Sequence, residues 1–389
     1  MPHYDIILAG AGAAGLSLAY CLAHSPLRDR SILVVDKDVT ERRNRTWCFW
    51  TNRPTPYEHI VYRSWRRLRF TAQRITREID LGDYRYQMIR GADFFGFVQQ
   101  EISKLARVDL VQGTIDRIED GPHAASTWVD GREHTGTWVF DSRYCVSTKR
   151  SQGPWHTLTQ QFTGWDVTTT QAAFDPRAAT FLDFRTPQRN EARFFYVLPL
   201  SEYQAIVDYV TCGPEEMAAP QHQQALSTYL HEELGFAGCH IQVREAGSSP
   251  LTDRQFPRRI GRHVMAIGTL GGRIKPTTGF AFTRIQRDSA AIVVSLLRFG
   301  HPFSVPCDPW RFRLYDAAML DIMAQNGDRI EPIFRSLFMS NPVARILSFL
   351  DERTALWDEL RLAATLPPDV ALRALSFRRI AQMYAWRRP

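Results

Sequence analysis

Apolar positions along the chain follow two periods, and the switches between them mark the elements. DIILA at Asp5–Ala9 and SILVVD at Ser31–Asp36 are short, near-continuous apolar runs, the pattern of strands buried on both faces of a parallel sheet. LSLAYCLAHS between them has helical spacing, so the first fifty residues read as a βαβ unit and its exit. Val61–Gly91 alternates apolar with polar residues and predicts antiparallel strands. DFFGFVQQEISKLAR (Asp93–Arg107) returns to the helical period with Asp93 at the N-cap position. Short strands follow at VDLVQGTIDRIED, STWVDGREHTG and TWVFDSR, then at TLTQQFTGWDV, AATFLDFR, RFFYVLPLS and QAIVDYVTC, before a helix from Pro220 to Leu234. Val264–Ile267 reads as a further strand that feeds a glycine-rich loop and a helix. From Pro309 the pattern is helical, and IFRSLFMSNPVARILSFL (Ile333–Leu350) reads as two helices broken near Pro342.

The turn after the first strand carries Gly10, Gly12 and Gly15 at the GxGxxG positions, with Ala13 and Ala14 between them. The first glycine makes the tight turn, the second lets the backbone approach a pyrophosphate, and the third lets helix pack on strand. Asp36 closes the second strand twenty-one residues after Gly15, where a carboxylate accepts from a ribose hydroxyl; Lys37 and Arg45 extend this candidate cofactor set. The motif alone does not separate FAD from NAD. Its place near the start of the chain favours FAD, and so does HVMAIGTLGGRIKPTTGFAFTRIQRDS (His263–Ser289). There Gly268 ends a strand, and Thr269, Gly271, Gly272, Pro276 and Gly279 form a glycine-rich P-x-x-G loop. In two-part FAD sites such a strand end approaches the ribityl–phosphate chain and such a loop lies beside the isoalloxazine. The expected architecture is α/β: a Rossmann-type FAD-binding domain from 1–60, 92–150 and 245–300, a β-sheet substrate lobe from 61–91 and 151–244, and a helical C-terminal region over 301–389.

Composition narrows the function more than it defines it. The net charge is +7, yet only four of the 48 basic residues are lysines, and no basic helix interleaved with aromatics or zinc-finger spacing is present. Nucleic acid is therefore not an expected partner, while anionic lipid head groups are. Six scattered cysteines without a CxxC pair read as free thiols, with neither a disulfide framework nor a metal site. No apolar run approaches eighteen residues and DIILAG enters the nucleotide motif directly, so the expectation is a cytoplasmic or peripheral protein.

The chemistry-bearing segment is RFFYVLPLSEYQAIVDYVTCG (Arg193–Gly213), two strands joined through LSEYQ. Alternation puts Ile206, Asp208 and Val210 on one face of the second strand and Val207, Tyr209 and Thr211 on the other. A lone acid on a strand built for burial is costly unless it is paired or functional, and desolvation raises its pKa. The competing reading is a carboxylate satisfied by an arginine or turned to solvent. RTWCFW (Arg45–Trp50), Trp65, Phe194–Tyr196, Phe280 and Phe282 add electron-rich ring faces of the kind that stabilise cations.

Those segments, with QQFTGW, GGRIKPTTGFAFTRIQRDS, FRLYDAAML and NPVARILSFLDERT, resemble the bacterial FAD-dependent lycopene β-cyclase family over nearly the whole chain. The resemblance implies an isomerase needing reduced FAD, with NADPH as the electron source, although no electrons are gained or lost overall. A proton adds at C2 of a linear ψ-end of lycopene, leaving a cation at C1; the C5=C6 double bond closes the ring, and proton loss from C6 gives the β-ionone end. The family's proposed acid is a glutamate in the strand after the Y-x-L-P segment, often in an acidic pair followed by threonine. Here the chain reads Val207-Asp208-Tyr209-Val210, and Asp208 retracts the carboxyl by one carbon–carbon bond, about 1.5 Å. Such a change points to a reshaped pocket, a flavin acting as acid, or another polyene or terpenoid substrate. A redox monooxygenase or prenyl reductase consuming NADPH is the rival enzyme class, and a catalytically weak carotenoid-binding protein a third. Thr269, where flavin hydroxylases carry aspartate, argues against hydroxylation. A carotenoid substrate also implies docking on a membrane surface; Ile333–Leu350 reads first as core-packed helices, and the sharper reading makes Phe334, Leu337, Phe338, Ile346 and Phe349 the lipid contacts, supported by the tail FRRIAQMYAWRRP, which otherwise reads as a solvated helix.

Overall fold

The computed structural model describes residues 1–38, 45–144, 155–236 and 238–370. Two seven-stranded sheets organise them, and a three-stranded sheet lies apart from both. In the first sheet, Val108–Gln112, Ile32–Asp36, His3–Ala9 and Arg132–Asp141 run parallel in that order, as the continuous apolar runs predict. Beyond His3–Ala9, Arg132–Asp141 serves two further partners: its early residues pair antiparallel with Ala125–Val129, and Val139, Phe140 and Asp141 pair in parallel with Val264–Ala266. That second pairing returns the late glycine loop to the mouth of the first. The helices Ala13–Ala23, Gly91–Ile102 and Phe282–Phe299 supply one core with Leu16, Leu18, Phe94, Val98, Phe282 and Ile285. Asp93, expected as an N-cap, lies inside the first turn of Gly91–Ile102 and pairs with Arg90 at 2.6 Å, because the helix starts two residues earlier.

The second sheet orders His240–Thr252, Thr157–Thr168, Gln204–Gly213, Ala192–Pro199, Ala178–Asp183, Arg67–Ala72 and Ile75–Asp80. Strand alternation gives it two different faces. Trp165, Val167, Phe195, Val207 and Tyr209 pack under the helix Ala219–Thr228 and the wide turn Tyr229–Glu233. Leu158, Phe181, Phe194, Val210 and Cys212 look the other way, into a core shared with Trp50, Trp65 and Tyr86 of the small sheet. That sheet pairs Arg85–Arg90 with both Thr46–Thr51 and Arg63–Trp65.

Two pairings shift the expected boundaries. Residues from 245 to Thr252 still pair with Thr157–Thr168 in the second sheet, so the chain returns to the first sheet later than residue 245. Of the 61–91 segment, Arg67–Ala72 and Ile75–Asp80 join the second sheet, whereas Arg63–Trp65 and Arg85–Arg90 do not. The C-terminal helices Trp310–Gln325, Ile330–Ser340, Val343–Leu350 and Leu356–Ala363 close the shared core, with the break at Pro342 where it was read. Phe338 stacks on Phe70 with ring centroids 5.3 Å apart.

Candidate active site

The nucleotide cradle is built from backbone that tolerates no side chain. Gly10 has φ +109°, a conformation that side chains avoid, and a Cβ on Gly15 would stand 1.9 Å from the Gly10 carbonyl oxygen. Gly12 opens the helix Ala13–Ala23 without a side-chain cap, leaving the amides of its first turn for an anion. Asp36 is held beside this turn, accepting from the Ala11 amide at 2.6 Å and the Asp38 amide at 3.1 Å. Gly268, at φ +59°, meets the same helix: a Cβ there would lie 2.7 Å from Ala14 Cβ. The two glycine loops, more than 250 residues apart in the chain, thus share one cradle, and these residues fit an extended dinucleotide. Lys37 and Arg45 are exposed, and Arg45 acts electrostatically on Glu245 of the second sheet.

The loop from Thr269 to Gly279 then turns toward the second sheet. Gly272 and Gly279 take positive φ, and a Cβ on Gly279 would meet Gln160 Oε1 at 1.8 Å. Gln160 also donates to the Thr278 carbonyl at 3.2 Å. Half-buried Pro276 lies next to Lys275, which nothing in the motif reading singled out. The Lys275 ammonium is buried against Asp316 and Glu352, each at 2.8 Å, while Thr277 donates to Asp316 at 3.0 Å and Arg284 pairs with Glu352 at 2.6 Å. Buried ions persist only when paired in this way. The cluster ties the loop to the C-terminal helices.

Gln160, Phe162 and Gly164 alternate along one face of Thr157–Thr168, and that face leads from the loop to the acids. Four residues of strand span roughly 13 Å. Gly164 is flanked by Asp208 on one neighbouring strand and by Glu245 on the other. A Cβ on Gly164 would stand 2.0 Å from Asp208 Oδ1 and 3.0 Å from Glu245 Cγ, so these atoms lie within about 5 Å of each other across the bare backbone. Asp208 Oδ1 is enclosed and meets no hydrogen-bond donor among the described residues. Burial pushes Asp208 up to about 7, and burial together with the charge of Asp208 pushes Glu245 up to about 9, with Arg45 pulling the other way. Tyr196 stands opposite Asp208 on the third strand, and the thiol of Cys48 and the phenol of Tyr86 lie near both. Phe162, Tyr196, Ile206 and Phe280 are only partly buried here, and Trp50 meets Phe280 edge-on at 4.8 Å. A carboxyl pair in an aromatic, low-dielectric cleft is equipped to hold a proton at neutral pH and to face a cation.

Asp208 therefore sits on the face that alternation assigns to it, and no ion pair to it occurs among the described residues. Sequence reasoning missed Glu245 and Gly164. The available signal was a glycine inside an otherwise unbroken strand, which marks a close approach. Of the two readings of Ile333–Leu350, core packing holds and the lipid contact is corrected: Phe338 and Ile346 are each 1% exposed and Leu337 is buried, because their helices pack inward on the second sheet. Leu356, Trp357 and Leu360, at 63%, 74% and 58% exposure, make an exposed apolar side of Leu356–Ala363. The tail FRRIAQMYAWRRP lies outside the described residues.

Fold and cradle together define the class, an α/β protein with the flavoprotein fold. A flavoprotein/dehydrogenase from Cytophaga hutchinsonii superimposes with a TM-score of 0.67 at 13% identity, covering 99% of this chain and 100% of that one. A geranylgeranyl bacteriochlorophyll reductase-like protein from Thermoplasma acidophilum gives 0.61 at 11% identity and 99% of both chains. A halogenase solved in complex with phloroglucinol and FAD also gives 0.61, at 12% identity, over 99% of this chain and 93% of that one. Within this class the chain belongs to the lycopene cyclase protein family, which it matches over residues 5–376. It is 26% identical to a lycopene beta-cyclase from Pantoea ananas over 410 residues, covering 96% of this chain and 97% of the relative.

Proposed function

We propose that this protein closes the linear ψ-ends of lycopene into β-ionone rings, an acid-initiated isomerisation with no net redox change that uses bound, reduced FAD, with NADPH as the electron source. The observation that carries this reading is Asp208, a carboxyl with an enclosed, unpaired oxygen on an aromatic-lined face, raised to about 7 by burial. A group of that kind holds its proton at the pH where it is needed and donates to carbon without first breaking an ion pair. Gly10, Gly12, Ala13, Ala14, Gly15 and Asp36 would hold the adenosine diphosphate half of FAD, and Gly268, Thr269, Gly271, Gly272, Pro276 and Gly279 its flavin half. Bound there, anionic reduced flavin supplies negative charge near a developing cation. Phe162, Tyr196 and Phe280 exclude water, which would otherwise trap the cation as an alcohol, and present ring faces to it.

No helix among the described residues is long and apolar enough to cross a membrane. The reading is completed by peripheral docking of a cytoplasmic protein on the bilayer that dissolves its substrate, through Leu356, Trp357 and Leu360. Purified protein supplied with reduced FAD and lycopene tests the function. Ring products without NADPH turnover support cyclisation, stoichiometric NADPH oxidation replaces it with a redox enzyme, and binding without product replaces it with a carotenoid carrier.

A further inference from the structure

Ring closure moves protons twice, and one carboxyl accounts for only half of that traffic. The proton enters at C2 and leaves from C6, and both carbons are bonded to C1, so two bonds of about 1.5 Å place them roughly 2.5 Å apart. Donor and acceptor must therefore be close neighbours on one side of the reacting end. Strand alternation bars the residues next to Asp208 in the chain from this role, since Val207 and Tyr209 point into the opposite core. Glu245 reaches the same face from two strands away, and only because Gly164 between them has no side chain.

We propose that Asp208 and Glu245 form a single proton-sharing pair, in which one carboxyl protonates C2 and the other, as carboxylate, takes the proton from C6. The inference rests on the cyclase reading. The balance closes. The C1=C2 electrons form the C2–H bond as the acid ionises, and the C5=C6 electrons form the C1–C6 bond. The C6–H electrons then become the new C5=C6 bond as the second carboxylate is protonated. One proton is on the pair before and after, no electrons are exchanged, and the pair carries one negative charge at rest and two while the cation exists. Of the other groups facing the pair, two charges act on Glu245 in opposite directions: Asp166 raises it and Arg45 lowers it. Cys48, Tyr86 and Tyr196 are raised by burial and stay neutral, Asp166 lies further along the Thr157–Thr168 strand and is bonded by Gln204, and Arg45 opposes Glu245 protonation from the start of the small sheet.

The test compares wild type, Glu245→Gln, Glu245→Asp and Asp208→Asn, each reconstituted with reduced FAD and assayed on lycopene across pH 5–10. The pair predicts a fall in kcat of roughly 100-fold or more in Glu245→Gln with KM for lycopene unchanged. It also predicts an altered pH limb and partial recovery in Glu245→Asp. Glu245→Gln that cyclises at the wild-type rate with the wild-type pH profile overturns the pair while leaving the cyclase reading intact. The second readout needs no turnover: infrared titration of the folded protein. A protonated carboxyl C=O band at pH 7 that shifts or vanishes in both Glu245→Gln and Asp208→Asn supports the shared proton. A band untouched by Glu245→Gln, or no such band in wild type, overturns it. If wild type forms no rings, the cyclase reading falls and the infrared result alone decides whether the two carboxyls share a proton.

Discussion

Gly164→Ala is the sharpest perturbation the structure offers, because it adds one methyl group where the two carboxyls meet. The new Cβ would stand 2.0 Å from Asp208 Oδ1, and an ordinary contact is about 3.4 Å, so the oxygen must retreat by about 1.4 Å. Backbone conformation is no obstacle, since Gly164 is not among the positive-φ glycines. Asp208 makes room by turning away from its present rotamer, at about 0.5–1.5 kcal/mol, and replacing glycine in a strand returns about 0.5–1 kcal/mol. Net stability should stay within about 1 kcal/mol of wild type. Turnover should not, because displacing a reacting group by 1 Å costs on the order of 100-fold. The assay is the initial rate of ring formation with reduced FAD and lycopene, set beside a denaturant melt and the flavin content of the purified protein. Gly96→Ala is the control: a Cβ there has nothing within 4 Å, so stability should hold or rise and the rate should not change. A Gly164→Ala enzyme with more than half of wild-type activity would refute the geometric argument. So would a variant that loses rate only in proportion to lost flavin or lost folded protein, which would make the glycine a packing device.

Three further outcomes are expected. Asp208→Asn should bind flavin normally and lose roughly 100- to 10,000-fold in rate, and Asp208→Glu should retain or raise activity on lycopene unless this pocket is shaped for the shorter acid; an undiminished rate in Asp208→Asn would make the carboxylate structural. The acid pair should also shape stability: carboxyls that titrate near 4 when unfolded and at about 7 and about 9 when folded bind more protons in the native state, so stability falls as pH rises from about 4 to 9. At pH 8 Asp208→Asn should therefore be more stable than wild type by on the order of 2 kcal/mol, about half of what the full displacement implies because the cleft is partly solvated, and by nothing at pH 4; urea melts that show the same difference at both pH values would contradict the burial argument. Replacing Leu356, Trp357 and Leu360 with serine should reduce co-sedimentation with liposomes and slow turnover of membrane-dissolved lycopene, and undiminished co-sedimentation would remove this helix from the docking surface.

What the sequence revealed and what it hid have different physical sources. Gly10, Gly12, Gly15 and Gly268 were legible because a dinucleotide cradle is a local backbone requirement, and local conformations leave local residue signatures. Asp208 was legible because one acid among alternating apolar residues violates the pattern of its own strand. Glu245 violates nothing nearby: its strand, HIQVREAGSSPLT, is polar along most of its length, so the residue looks like one solvated charge among several. Only the register of three strands assembles it with Asp208, and register is written in the pairing of segments about 40 and about 80 residues apart. The same holds for Lys275, whose partners Asp316 and Glu352 come from the C-terminal region. The misplaced lipid surface has the converse cause. Phe334, Leu337, Phe338, Ile346 and Phe349 have the density of a membrane contact, but density alone does not distinguish a helix that faces lipid from one that faces a second sheet. Exposure of Leu356 and Trp357 beside buried Leu362 and Glu359 makes that distinction, and it becomes visible only once Arg311 has fixed which side of the last described helix packs inward.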